Sequence, residues 1–284
     1  MTELEQVVSE TVVVDTHEHL RSEADYVERG PDVLRDIFGH YVQDDLVVAG
    51  ATPEAARRIS DSTDPDVAGR WGGVAQAWQM CRHTGYGEAA RIIAEQAYGM
   101  KEITLPAIEA AAEKNREMRQ PGQRRKILRE RAKLDSTQID SFMWRARLDE
   151  SGKDFFLYDL SIMQLFQGNF DPVEFGAEVN MEITDLDALR EAIGKLYDQS
   201  PLAIAAKSQH AYRRTLAWRE CGDDEAGPLL KKLRGLPKGE ELLPAERIRL
   251  GDWCGARAVE KAVAHDLPIK IHTGYYAGFG RFEP

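Results

Sequence analysis

The hydrophobic pattern of the chain changes rhythm twice. Val12-Val13-Val14 is a β-branched run that ends in the polar cluster Asp15-Thr16-His17-Glu18-His19. That pattern predicts a buried strand whose C-terminal end carries chemistry. From about residue 21 to 135 the apolar positions recur at helical spacing instead. Thr52-Pro53 predicts an N-cap followed by proline at the first helical position. Residues 88–100 predict a helix ending near Gly99, and 106–119 an Ala- and Glu-rich helix broken by Pro121-Gly122. From about 137 short strands alternate with helices. Strands are predicted at 139–144, 155–160, 202–207 and 269–273, and helices at 186–197 and 246–265. Such alternation argues for a parallel sheet with helical crossovers. No internal repeat or low-complexity tract is evident.

The strand count sets the expected architecture. A chain of 284 residues has room for a (β/α)8 TIM-type barrel of ~250 residues, but only five strands are legible. The three missing strand–helix units amount to roughly 90 residues at ~30 residues each. The expectation is therefore an α/β fold: a (β/α)8 barrel with a large helical insertion (about 21–135) after strand 1, truncated after strand 5. One barrel domain would span 1–284, with its strand–helix units at about 137–284.

Composition removes several classes. The chain has 48 acidic and 37 basic residues, a formal net charge of -11, and 43% hydrophobic residues, the profile of a soluble globular protein. The acidic balance disfavours nucleic acid, because phosphate binding draws on a basic surface. Lys114 to Lys133 holds nine basic residues against two acidic ones, and reads as a solvated helix face. No apolar run approaches the ~20 residues of a membrane span. The N-terminus carries acids where a signal peptide needs bases. Cys81, Cys221 and Cys254 are too scattered for a disulfide framework, so a cytoplasmic location is the default. Trp71, Trp78 and Tyr86 read as helical core packing. Phosphate-binding glycine loops are absent.

Candidate chemistry gathers at the strand ends. His17 and His19 are two apart on a strand, so alternation points both imidazoles the same way, together with Asp15. Two such nitrogens could bind one zinc-like ion, with Asp15 as their outer partner; a polar surface turn is the alternative. His272 shares a face with Lys270 at the end of the last strand and could join the same ion, or sit satisfied in a loop. Lys207 closes its strand above Ala203 and Ala205. It could be carboxylated and bridge two metals, meet an anionic substrate as an ammonium, or pair with a carboxylate. His210, Tyr212, Arg213 and Arg214 follow and could contact substrate, arginine being suited to carboxylates.

Three segments together, Val14–Leu20, Lys207–Arg213 and Ile271–Gly274, resemble the amidohydrolase superfamily. The likeness is to its amidohydrolase-related branch, with relatives of uronate isomerase and of amidohydrolase domains fused to glutamine-synthetase-like domains. The resemblance implies a (β/α)8 barrel with a divalent metal at the C-terminal mouth, zinc first, manganese or iron as alternatives, one or two ions. His17 and His19 match the first-strand ligands and His272 the fifth-strand histidine. Lys207 falls where some members carry a carboxylated lysine. The sixth-strand histidine and eighth-strand aspartate of the superfamily have no counterpart, so no catalytic residue is assigned. The implied activity is hydrolysis of an amide or lactone bond in a small acidic molecule, by water whose pKa the metal lowers towards ~7. Uronate-isomerase-like or decarboxylase-like chemistry, or a non-catalytic barrel module, are the alternatives. A small-molecule substrate, no nucleic acid and no membrane are the expected partners, with self-association of a full-length form left open.

Overall fold

The computed structural model describes residues 2–142, 144 and 154–273. Its contacts divide the chain into two compact units, Ser22–Arg131 and the segments on either side of it. The strand predicted at 139–144 and the tail 274–284 fall partly or wholly outside the described residues.

The flanking segments build a sheet of five strands: β1 (Val13–Glu18), β2 (Leu134–Ile139), β3 (Phe156–Ser161), β4 (Ala203–Ser208) and β5 (Ile269–Ile271). All neighbours pair in parallel, in the order β1-β2-β3-β4-β5. Sequential order, with helices in the crossovers from β3 to β4 and from β4 to β5, is the arrangement of a (β/α) barrel, here a curled half. β2 lies about five residues earlier than the hydrophobic pattern predicts. Its sequence, Leu134-Asp-Ser-Thr-Gln-Ile139, is mostly polar, and Thr137 is buried through hydrogen bonding rather than apolarity.

Each strand has two chemically distinct faces. On the outer face Leu160 and Ala206 join Leu189, Ile193, Leu250 and Trp253 in one apolar core. The crossover helices that supply these residues, Leu186–Asp198 and Pro244–Ala264, start where local chemistry dictates. The Asp185 side chain accepts from Ala188 N, and Pro244 opens the second helix with fixed φ. On the inner face register aligns Ser161, Lys207 and Lys270 as neighbours across three strands. A parallel sheet normally buries apolar residues on both faces. This one reserves its inner face for charge.

The helical unit has a core of its own, in which Phe38 packs edge-on against Trp78, with ring centres 5.4 Å apart. The buried Arg70 guanidinium there makes five hydrogen bonds, two to Asp32 and three to the carbonyls of Arg58, Ile59 and Asp64. Nearby Asp36 accepts from Tyr98 and from Asn115 (3.2 Å). Burial raises its pKa to about 6, against the pull of those bonds. The helix predicted over 106–119 is interrupted at Ala111, giving Leu105–Ala110 and Ala112–Met118. The basic stretch is only partly a solvated face: Arg124 is buried against Glu23 at 3.0 Å. Among the described residues no helix is long and apolar enough to cross a membrane.

Candidate functional site

The site begins with a bulge. Asp15 pairs with Thr137 and Glu18 with Ile139, which leaves Thr16 and His17 opposite the single residue Gln138. Two residues facing one define a β-bulge, a device that re-aims side chains. It breaks strict alternation. Asp15 and Glu18 share one face, where burial and the neighbouring Asp15 carboxyl raise the Glu18 pKa. His17 turns to the inner face. Asp15 therefore does not support the imidazole as expected. Its carboxylate accepts from the His17 backbone N–H and from Thr137 Oγ1, each at 3.1 Å.

His17 is the middle of three rings. Its centroid stands 5.2 Å from that of His19 and 5.2 Å from that of His272. Two imidazoles that share a tetrahedral ion through nitrogens at ~2.0–2.1 Å place their centroids about 5 Å apart. The spacing fits such an ion. His19 is also preset in tautomer: Nδ1 donates to the Asp140 carbonyl at 2.8 Å, which leaves Nε2 with its lone pair, 3.4 Å from Gln209 Nε2. His272 is seated by its backbone N–H on the Ser208 carbonyl at 2.9 Å. Burial, then the Lys207 charge, lowers the pKa of His17 to about 4 and also lowers that of His272. Both imidazoles are neutral near pH 7, the form that ligates.

Lys207 occupies the centre of this arrangement. Its Nζ lies 3.2 Å from His17 Nδ1, and an ammonium has only donors, so Nδ1 accepts. Burial and the nearby Lys270 lower the Lys207 pKa. Ammonium and metal ion compete for the same lone pair. Among the described residues no three His, Cys, Asp or Glu side chains stand close enough together to hold a metal ion, so the fit holds for His17–His19 and His17–His272 taken as pairs.

Lys270 differs in being fully engaged. Its Nζ donates to Thr16 O (2.6 Å), Gln138 Oε1 (2.8 Å) and Asp159 Oδ2 (2.5 Å). The other Asp159 oxygen is buried with no hydrogen-bond partner among the described residues, and burial raises the pKa of this carboxyl despite Lys270.

The residues expected to touch substrate separate into two sets. Tyr212 is exposed and stacks on His272, with ring centres 4.8 Å apart. Arg213 is exposed, and its backbone N–H donates to the His210 carbonyl at 2.9 Å. His210 and Arg214 are internal. His210 stacks on Phe166 and bonds Ser208, while Arg214 pairs with Asp252 at 2.6 Å and caps backbone carbonyls. Sequence reasoning missed Asp140, Gln209 and Asp159. Asp140 follows β2 directly and would have stood out at a strand end had that strand been placed correctly.

No protein-family model and no curated protein matches the chain. Among solved structures it is similar in fold to uronate isomerase from Thermotoga maritima, with a TM-score of 0.69 over 94% of this chain and 15% identity. The chain spans 60% of the length of that protein.

Proposed function

We propose that the chain carries the metal-binding front of an amidohydrolase-type enzyme that hydrolyses an amide or lactone bond in a small acidic molecule. The observation that supports this reading is the cluster of His17, His19 and His272 at the C-terminal mouth of a half-barrel, with the His17 ring centre 5.2 Å from each of the other two. These three would hold a divalent ion, zinc foremost, with manganese or iron as alternatives and room for a second ion if Lys207 is carboxylated. Bound there, the ion supplies Lewis-acid polarisation of a carbonyl oxygen.

The remaining roles belong to the chain itself. The Asp140 carbonyl fixes the His19 tautomer, and Gln209 holds the Asp140 carboxylate at 3.0 Å. Lys207, as an ammonium that among the described residues hydrogen-bonds His17, has donors to spare for a substrate carboxylate. Phe142, stacked on His19 with ring centres 4.2 Å apart, and Tyr212 on His272 wall the mouth from two sides. Arg213 would meet the distal end of the acid. We place the protein in the cytoplasm, acting on a small molecule.

The likeness to a uronate isomerase fold favours a second reading, isomerisation of a sugar acid at the same site. The separating experiment is metal analysis of the purified protein followed by parallel assay of lactones, amides and uronates. Turnover of lactone or amide supports hydrolysis, and turnover of uronate alone replaces it with isomerisation. Protein that folds yet retains no zinc, manganese or iron overturns both.

A further inference from the structure

The three histidines come from strands that are not neighbours. β1 and the residue after it supply His17 and His19, the residue after β5 is His272, and three strands lie between β1 and β5 in the sheet order. Ladder bonding transmits position from β1 to β5 only through four successive pairs, two of which carry register shifts. Lys270 makes the connection directly. It sits on β5, two residues before His272, and donates to the carbonyl of Thr16, the residue before His17. That carbonyl belongs to the bulge. Its other two donors go to Gln138 on β2 and Asp159 on β3, so one ammonium gathers four of the five strands at a single point.

We propose that Lys270 is a positioning residue that sets the distance between the two halves of the metal site. The proposal rests on the reading of His17, His19 and His272 as ligands. It differs from a purely structural role for the Lys270–Asp159 pair, in which the lysine only neutralises a buried carboxylate. Three donors meet three acceptors, as a tetrahedral ammonium requires, and nothing is left over for substrate. Lys207, its register neighbour on β4, has the opposite character.

The test uses the whole protein, with Co2+ as the probe. Co2+ affinity and visible spectrum are measured for wild type, Lys270→Met and the double variant Lys270→Met/Asp159→Asn. The nuclear Overhauser contact between the His17 and His272 rings is followed in metal-free protein. Lys270→Met alone strands a buried carboxylate and melts early, whereas the double variant removes the stranded charge and recovers stability. Expected is a loss of Co2+ affinity of about 10–100-fold in the double variant, the range for outer partners of metal ligands, with the ring contact gone. A double variant with wild-type affinity and an intact ring contact overturns the proposal. If wild type binds no Co2+, the ligand reading falls. The ring contact still decides the role of Lys270: its loss in the double variant sustains positioning, and its survival refutes it.

Discussion

Two buried cations, one in each unit, are held in opposite ways. In the helical unit Arg70 has every guanidinium donor matched: five hydrogen bonds, all to oxygens held by the surrounding backbone and Asp32. On the inner face of the sheet Lys207 is equally buried, yet the hydrogen bond the structure gives it goes to one imidazole, and one oxygen of Asp159 beside it has none among the described residues. A buried polar group with all partners in place stabilises one conformation; one left short costs free energy and persists where something else completes it. The contrast separates scaffold from site without reference to any relative. It also divides the two inner lysines, because Lys270 resembles Arg70 in being complete.

The comparison can be broken at several points. The largest effect should follow Arg70→Met, which strands Asp32 and three carbonyls. We expect a loss of about 3 kcal/mol in denaturant unfolding of the helical unit, with metal content unchanged. His17→Ala or His272→Ala should do the reverse. Metal affinity should fall by more than the roughly 100-fold upper range for outer partners in equilibrium dialysis, while the melting temperature moves little. Were Arg70→Met to abolish metal binding, or His17→Ala to unfold the protein, the division would fail.

Acid should tilt the units in opposite directions. Burial lowers the pKa of His210 to about 4 in the folded sheet unit, below the ordinary 6.5 of an unfolded chain. The unfolded state takes up its proton first, so sheet stability is lost as pH falls from 6.5 towards 4. Asp36 behaves inversely. Its folded pKa of about 6 exceeds its ordinary value near 3.8, so the folded helical unit gains stability as pH falls through the same window. Urea melts at pH 7 and pH 5, read by resonances from each unit, should show these opposite shifts. The smallest effect concerns Lys207. Purification under bicarbonate should add the mass of one carbon dioxide if the lysine is carboxylated, and leave the mass unchanged if it acts as an ammonium.

Much of the sheet could be read from the sequence because its outer face obeys simple rules. The 202–207 strand and the helices 186–197 and 246–265 carry apolar residues at the period their structure demands, whereas Val12-Val13-Val14 marks the place of β1 but is exposed there, not buried as predicted. β2 escaped because four of its six residues are polar, Thr137 and Gln138 finding partners on β1 and β5 that no local window contains. The histidines of the site were visible as strand-end residues. The bulge at Thr16-His17 was not, since two residues facing one is a property of a pair of strands. For the same reason Asp15 was placed on the wrong face, and Asp140 went unnoticed behind a misplaced strand.

The path of the chain from β1 to β2 also bears on the order in which the molecule assembles. The His19–Asp140 contact closes a loop of 121 residues, which by (3/2)RT ln n costs about 4 kcal/mol of chain entropy before any pairing is gained. The intervening helices have a core of their own, and helical structure favours rapid folding. Once they have folded, β1 no longer searches for β2 across a long free chain. It meets it across a compact body tethered at both ends. In pulse-labelled exchange the amides of 22–131 should gain protection before those of the β1–β2 ladder. The insertion would then act as the first folded nucleus of a half-barrel that is read from its amino end.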